Sequence, residues 1–277
     1  MSLIDELKLS RRLQVTARLV FDTAWRIGTG KEGATMSDLG VLLDPVGKPV
    51  LPGSSLKGRL RATCEGLAHA LGLSACFLNA TASGVNCVSD IEYYRQVKEH
   101  HTAAVRSGDP QLLLGWINEN TCNVCKLFGS PARAARLRCA DGTLETHDAA
   151  VVQVRDGVVL DRDSHTAVPG LKYDYEVLPA LTSFRIRFDL ENASDADEAT
   201  FGAALFEWSA GGSLGGFTSR GLGRFHLEDV KVFGVNLEDP KERVAYLTTT
   251  DPAKRLRDRG DWMAYFTSKI ESAAQGA

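Results

Sequence analysis

Pro52-Gly53-Ser54-Ser55-Leu56-Lys57-Gly58-Arg59-Leu60-Arg61 is the stretch around which the chain is organised. Pro52-Gly53 ends whatever strand precedes it, and Ser54 or Ser55 is placed to cap a helix start. Leu56, Leu60, Thr63, Leu67 and Leu71 then recur at helical spacing. Lys57 and Arg61 are four residues apart and share one face of that helix. Free backbone N–H groups, the positive end of the helix dipole and two cations meet there, a combination suited to phosphate. A capped, solvated surface helix fits the same residues.

Outward from this helix, the chain alternates between regular elements and long polar segments. Residues 12–22 predict a first strand, with Leu13, Val15, Ala17, Leu19 and Phe21 on one face and Gln14, Thr16, Arg18 and Asp22 on the other. Residues 27–36 form a glycine-rich polar loop, and residues 41–51 a small hairpin around Asp44-Pro45-Val46-Gly47. Residues 74–130 read as an insertion, with a helix over 90–106. Residues 135–139 predict a short strand followed by an Asp141-Gly142 turn. Residues 151–161 predict a hairpin turning at Asp156-Gly157, and residues 162–175 a mobile polar arm. Phe184, Ile186, Phe188 and Leu190 mark another strand, and Ser194 with Asp197 and Glu198 opens a second long helix packed through Phe201, Ala204, Leu205 and Trp208. A last strand spans 225–232. The tail carries Lys254, Arg255, Arg257 and Arg259, read as a solvated helix face, and a short helix from Trp262. Strand, helix, strand, strand, helix, strand is the ferredoxin-like order, within an α+β class. RNA-recognition domains share that skeleton, although fold alone does not assign function.

The 277 residues are enough to bury a substantial core, and 44% are hydrophobic. Net charge is −3, so any nucleic-acid site must be a local patch on a mildly acidic body. Mean hydropathy is −0.13. The first ten residues lack a signal-peptide apolar core, and no long apolar run exists, so a cytoplasmic location without membrane association is expected. In such a compartment the six cysteines are metal ligands or buried thiols rather than disulfides.

Two further groupings carry chemistry. Residues 211–224 hold six glycines with Arg220 and Arg224. The glycines lie between a helix and the last strand, not between a first strand and a helix, which excludes a dinucleotide loop. The absence of a Gly-Lys-Ser/Thr ending excludes a nucleoside-triphosphate loop. Close approach to a polyanionic backbone remains, beside the plainer reading of a flexible linker. Cys122-Asn123-Val124-Cys125 is a CxxC knuckle without a thioredoxin-like context, so it reads as half of a structural Zn²⁺ site. Cys76 and Cys87 are the nearest further ligands, with His100 or His101 as substitutes. Cys64 and Cys139 read as buried thiols.

PGSSLKGRLR after the GKPVLP segment, KLFGSP at residues 126–131 and the GGFTSRGLGRF loop together resemble the RAMP superfamily, and most of all the Csm-type backbone subunit of type III CRISPR effector complexes. The likeness covers residues 12–234. It implies a single domain over 1–277: a ferredoxin-like, RRM-like βαββαβ palm (12–73, 131–150 and 176–234), a zinc-knuckle insertion (74–130), a thumb-like hairpin (150–175) and a tail (235–277). It implies a protein of antiviral defence that binds guide RNA (crRNA) alongside further backbone subunits and other effector subunits. Ser54, Ser55, Lys57, Arg61, Gly215, Gly216, Ser219, Arg220 and Arg224 would hold the guide. The protein would act as a metal-dependent endoribonuclease, a hydrolase that cuts bound target RNA at regular intervals with Mg²⁺ or Mn²⁺. The matching catalytic aspartate is Asp38, with Asp44 the weaker candidate. Val158, Leu160, Val168 and Leu171 are candidate wedges of the thumb. Some relatives carry a comparable zinc knuckle. A catalytically silent scaffold of the same complex, a guide-processing RAMP endonuclease, and a zinc-stabilised small-ligand protein are the competing readings; the second wants a His or Lys beside the glycine-rich loop, and nothing marks His69, the central-helix histidine, for that role.

Overall fold

In the computed structural model of this protein, residues 8–29, 37–76, 86–145 and 152–275 are described. Strand β1 (Arg11–Phe21) runs through the middle of the sheet, and its odd-numbered residues Val15, Ala17, Leu19 and Phe21 are fully buried. That period of two selects which face is covered. Two helices cover it. Helix α1 (Gly53–Leu67) buries Leu56, Leu60 and Cys64. It starts two or three residues earlier than the serines suggest: Pro52 is the capping position, its own side chain makes no capping bond, and Ser54 and Ser55 lie inside the first turn. The Asp141 carboxylate accepts the Gly53 N–H instead, at 2.7 Å.

The insertion folds as α2 (Ile91–Ser107), α3 (Gln111–Asn120) and α4 (Asn123–Phe128). Asp90 caps α2 by accepting the Glu92 N–H. Tyr93 is its buried anchor and reaches Thr121 at 2.9 Å. His100 stacks on Trp116, with ring centroids 5.1 Å apart. Strands β2 (Leu137–Cys139) and β3 (Thr143–Leu144) then form one edge of the sheet.

The next element departs from expectation. Asp156-Gly157 makes no turn; both residues lie within strand β4 (Gln153–Leu160), opposite Asp174 and Tyr173 of β5 (Ala167–Val177). The turn forms at 161–166, where the Asp161 carboxylate accepts the Asp163 and Ser164 N–H groups at 2.9 and 2.8 Å. The reason is steric. A Cβ at Gly157 would lie 2.3 Å from the Tyr173 ring, so the glycine serves a cross-strand aromatic rather than a bend. The arm of 162–175 is therefore mostly a paired strand.

Strand β6 (Ser183–Glu191), helix α5 (Asp195–Ala210), β7 (Gly212–Ser213) and β8 (Arg224–Asn236) complete the core. The Ser194–Asp197 capping box expected at the start of α5 is formed in both directions. The main sheet runs β2-β6-β1-β8-β7, with the core strands antiparallel. That is the ferredoxin-like order, and the fold is α+β. Helices α1 and α5 meet where Trp208 Nε1 donates to Thr63 Oγ1 at 3.0 Å. The other face of the sheet is a lattice of opposed charges. Arg18 meets Glu228 at 2.7 Å, Arg185 meets Glu145 at 2.8 Å, and Arg187 meets Asp189 at 2.8 Å.

The tail is more integrated than expected. After α6 (Pro240–Thr248) and β9 (Arg257–Asp258), helix α7 (Trp262–Gln275) packs on α5 through the fully buried Phe266. The basic residues of 254–259 do not form a helix face. Arg257 and Arg259 pair with Glu242, and Arg255 lies over the Tyr246 ring at 4.3 Å. Expectations for residues 30–36, 77–85 and 146–151 fall outside the described residues.

Candidate nucleic-acid interface and cysteine cluster

Arg26 joins three segments that are remote in sequence. It follows β1 and is 7% exposed. Its Nε donates to the Glu176 carbonyl at 3.2 Å, and Nη2 to the Leu39 and Gly40 carbonyls at 3.0 and 3.4 Å. Its guanidinium lies 5.0 Å from the Phe217 ring centroid. Its own carbonyl accepts the Gly216 N–H at 2.9 Å. Burial pulls the Arg26 guanidinium below its ordinary pKa, with Glu176 opposing. The Asp38 segment, the root of the β4–β5 hairpin and the glycine-rich loop are thus held by one side chain.

Glycine is required at the contact. Gly215 has φ +97°, and a Cβ there would sit 2.1 Å from the Arg26 carbonyl oxygen. The loop is therefore a shaped turn and not a linker. Phe217 lies between Arg26 and Arg220, the latter 4.8 Å from its centroid, and meets Tyr175 edge-on at 4.8 Å. Arg220 Nη1 donates to Tyr173 Oη at 2.5 Å. Arg220 and Ser219 are exposed, as is Arg224, whose guanidinium has no partner among the described residues.

Asp38 is exposed and sits against the hairpin. Its N–H donates to the Asp174 carboxylate at 2.7 Å, while its own carboxylate accepts the Asp174 N–H at 3.0 Å. Glu176 extends the same contact by accepting the Val41 N–H at 2.9 Å. Asp44 is committed locally: its carboxylate accepts the Val46 and Lys48 N–H groups at 3.0 and 2.8 Å and shapes the turn. Backbone pairs continue the edge toward α1. Leu42 donates to Ile27, Val50 to Leu42, and Gly142 to Leu51, just before Pro52. Ser54 is exposed, Ser55 and Lys57 are half-buried, and the Lys57 ammonium lies in the field of Cys139. Arg61 is different. Its side chain is 20% exposed and faces the insertion, away from the helix start.

The insertion brings Cys76, Cys87, Cys122 and Cys125 together, with all four sulfurs within 4.8 Å of one another. Tetrahedral Zn–S bonds of about 2.3 Å place sulfurs about 3.8 Å apart, so the cluster fits that ion. Backbone donors support it: Cys122 N–H points to Cys87 Sγ at 3.3 Å and Cys125 N–H to Cys122 Sγ at 3.4 Å. The hydrogen bond with Cys125 pulls the Cys122 thiol down to about 7, and that with Cys122 does the same for Cys87. Cys125 is pushed up, chiefly by Cys122. Thiols poised near neutrality lose protons readily to a metal. Cys64 and Cys139 stand apart, with pKa values raised by burial, as expected of inert thiols.

Residues 18–226 match the family model of the RAMP superfamily. The chain is a member of the RAMP superfamily. No curated protein matches it. RAMP proteins are CRISPR-associated and bind CRISPR RNA and complex subunits. In this RAMP protein, no described helix is long and apolar enough to cross a membrane. Reading the sequence alone missed Arg26, Tyr173, Asp174, Tyr175 and Phe217. The alternation Tyr173-Asp174-Tyr175-Glu176 was the available signal, since two aromatics and two acids on opposite faces mark a strand.

Proposed function

We propose that this RAMP protein is a guide-RNA-bound backbone subunit of a type III CRISPR ribonucleoprotein and cleaves complementary target RNA. The observation that carries this reading is the junction at Arg26, where an exposed aspartate, a glycine-rich loop carrying the exposed cations Arg220 and Arg224, and the root of a projecting hairpin adjoin. Ser54, Ser55, Lys57, Gly215, Gly216, Ser219, Arg220 and Arg224 hold the guide backbone along this edge, while base pairing reads the target. Val158, Leu160 and Leu171 are exposed apolar side chains on the hairpin and part the duplex beside Asp38. The target's own 2′-OH attacks the adjacent phosphodiester as the P–O5′ bond breaks, leaving a 2′,3′-cyclic phosphate and a 5′-hydroxyl that takes up a proton from water, so the protein supplies in-line geometry and charge stabilisation.

Asp38 takes the 2′-OH proton or orients the attacking strand. With Asp174 beside it, the site offers the oxygen donors that Mg²⁺ or Mn²⁺ accepts, and such an ion, when bound, stabilises charge on the phosphate. Zn²⁺ at the four cysteines is structural, pinning the insertion. The palm, insertion, hairpin and tail form one functional unit in the cytoplasm, assembled with other effector subunits.

The test is cleavage by the reconstituted ribonucleoprotein with Mg²⁺. Asp38→Ala is expected to abolish target cuts while leaving target binding intact. Unchanged cuts would remove the catalytic assignment and leave an RNA-binding scaffold.

A further inference from the structure

We propose that Arg61 is an outer-sphere partner of the cysteine cluster, a positioning residue that holds the Cys125 sulfur and offsets thiolate charge. The inference rests on the reading of the cluster as a metal site. Arg61 projects from α1, and its planar fork is engaged in three directions. Nη2 lies 3.1 Å from Cys125 Sγ, Nη1 donates to the Gly129 carbonyl at 3.3 Å, and Nε donates to Glu65 at 2.8 Å. Three differently directed partners fix the guanidinium plane, which a lysine ammonium cannot reproduce.

The sulfur accounting makes the contact specific. Cys87 and Cys122 each receive a backbone N–H. Among the described residues, the donor that Cys125 receives from outside the cluster is Arg61. Cys125 is fully buried, so water does not replace that bond. Four thiolates around one divalent ion carry a net negative charge, and a charge-assisted N–H···S bond in a half-buried setting offsets part of it. Such outer-shell partners set metal affinity. Arg61 therefore ties retention of the metal to the helix whose amino end lies along the candidate RNA edge. At 20% exposure its side chain is poorly placed as a general surface cation.

The experiment uses the full chain expressed in zinc-replete medium. Zinc content is measured first, and then the rate of zinc transfer to a chromogenic chelator, for wild type, Arg61→Ala, Arg61→Lys and Lys57→Ala. Arg61→Ala is expected to weaken zinc retention about 10- to 100-fold, with Arg61→Lys between it and wild type. Lys57→Ala, one turn away on the same helix, is expected to match wild type. Co²⁺-substituted protein supplies a second readout. Losing the N–H···S bond raises the sulfur lone-pair energy, so the sulfur-to-cobalt charge-transfer band moves to lower energy in the Arg61 variants. If Arg61→Ala does not fold, Arg61→Lys carries both measurements. Zinc-loaded variants with wild-type transfer rates and an unmoved cobalt band would overturn the role of Arg61 while leaving the metal site standing. A zinc-free wild type would overturn the metal site and this inference with it.

Discussion

Asp38 and Asp174 clasp each other across 136 residues of sequence: each main-chain N–H donates to the other's carboxylate, at 2.7 and 3.0 Å. The clasp orients the Asp38 carboxylate and binds its segment to the root of the hairpin. Asp174→Ala removes one acceptor and frees the segment. Target cleavage in the assembled complex is expected to fall by about 10- to 100-fold, as small misplacements of a reacting group do. Target affinity should change little. Asp174→Asn retains an acceptor oxygen and should keep more activity than Asp174→Ala. Equal losses in both variants would point to the charge and not the clasp.

Arg26 is the second lever. Arg26→Ala removes the guanidinium donors to the Glu176, Leu39 and Gly40 carbonyls, leaving Leu39 only the Glu176 N–H, and opens a gap against Phe217. Removing a buried, multiply bonded guanidinium is expected to cost about 2–4 kcal/mol, visible as a lower midpoint in urea unfolding. Arg26→Lys should recover only part, because one ammonium cannot reach both segments and stack on the ring. A midpoint unchanged in Arg26→Ala would show that the three segments are held by other contacts.

Gly157 and Tyr173 form a coupled pair. A methyl at Gly157 meets the Tyr173 ring at 2.3 Å, so Gly157→Ala must displace it and break its contact with Arg220. The expected loss is about 1–3 kcal/mol by thermal unfolding. Adding Tyr173→Ala should cost little more, because the ring is already displaced and its bond to Arg220 already lost. A double-mutant cycle with purely additive effects would contradict this packing.

His226 makes stability depend on pH. Its ring nitrogens face Asp22 at 2.7 Å and Glu228 at 3.1 Å, and Arg18 also binds Glu228. The hydrogen bond to Glu228 leads in raising the histidine above its ordinary 6.5, with Asp22 adding to it. The folded state holds the proton more tightly than the unfolded chain. The stabilisation is therefore full below about pH 6.5 and is lost as pH climbs through the raised value. The melting-temperature difference between wild type and His226→Gln should shrink from about pH 6 to about pH 9. A difference that stays constant over that range would assign His226 a packing role only.

The ferredoxin-like core was readable because its elements obey simple periods. Val15, Ala17, Leu19 and Phe21 alternate, and Phe201, Ala204, Leu205 and Trp208 stripe a helix, and each set is buried as its spacing predicts. The glycine-rich loop, the CxxC pair and the α5 capping box were readable for the same reason: local chemistry demands those residues at those positions. Asp156-Gly157 shows the limit of local reasoning. The dipeptide favours a tight turn on its own, yet the Tyr173 ring needs the space that glycine leaves, and the strand runs on.

The amino-acid order alone carried the βαββαβ core, the covered face of the sheet and the chemistry available to each motif, since these follow from periodicity and residue type within a few turns of chain. Folding in three dimensions chose the partners. It turned Arg61 from the helix start to Cys125, set Asp38 against Asp174, and made the isolated Arg26 the meeting point of three segments. Those choices depend on the distances between residues remote in the chain, and hydrogen bonds of about 3 Å cannot be inferred from spacing along it.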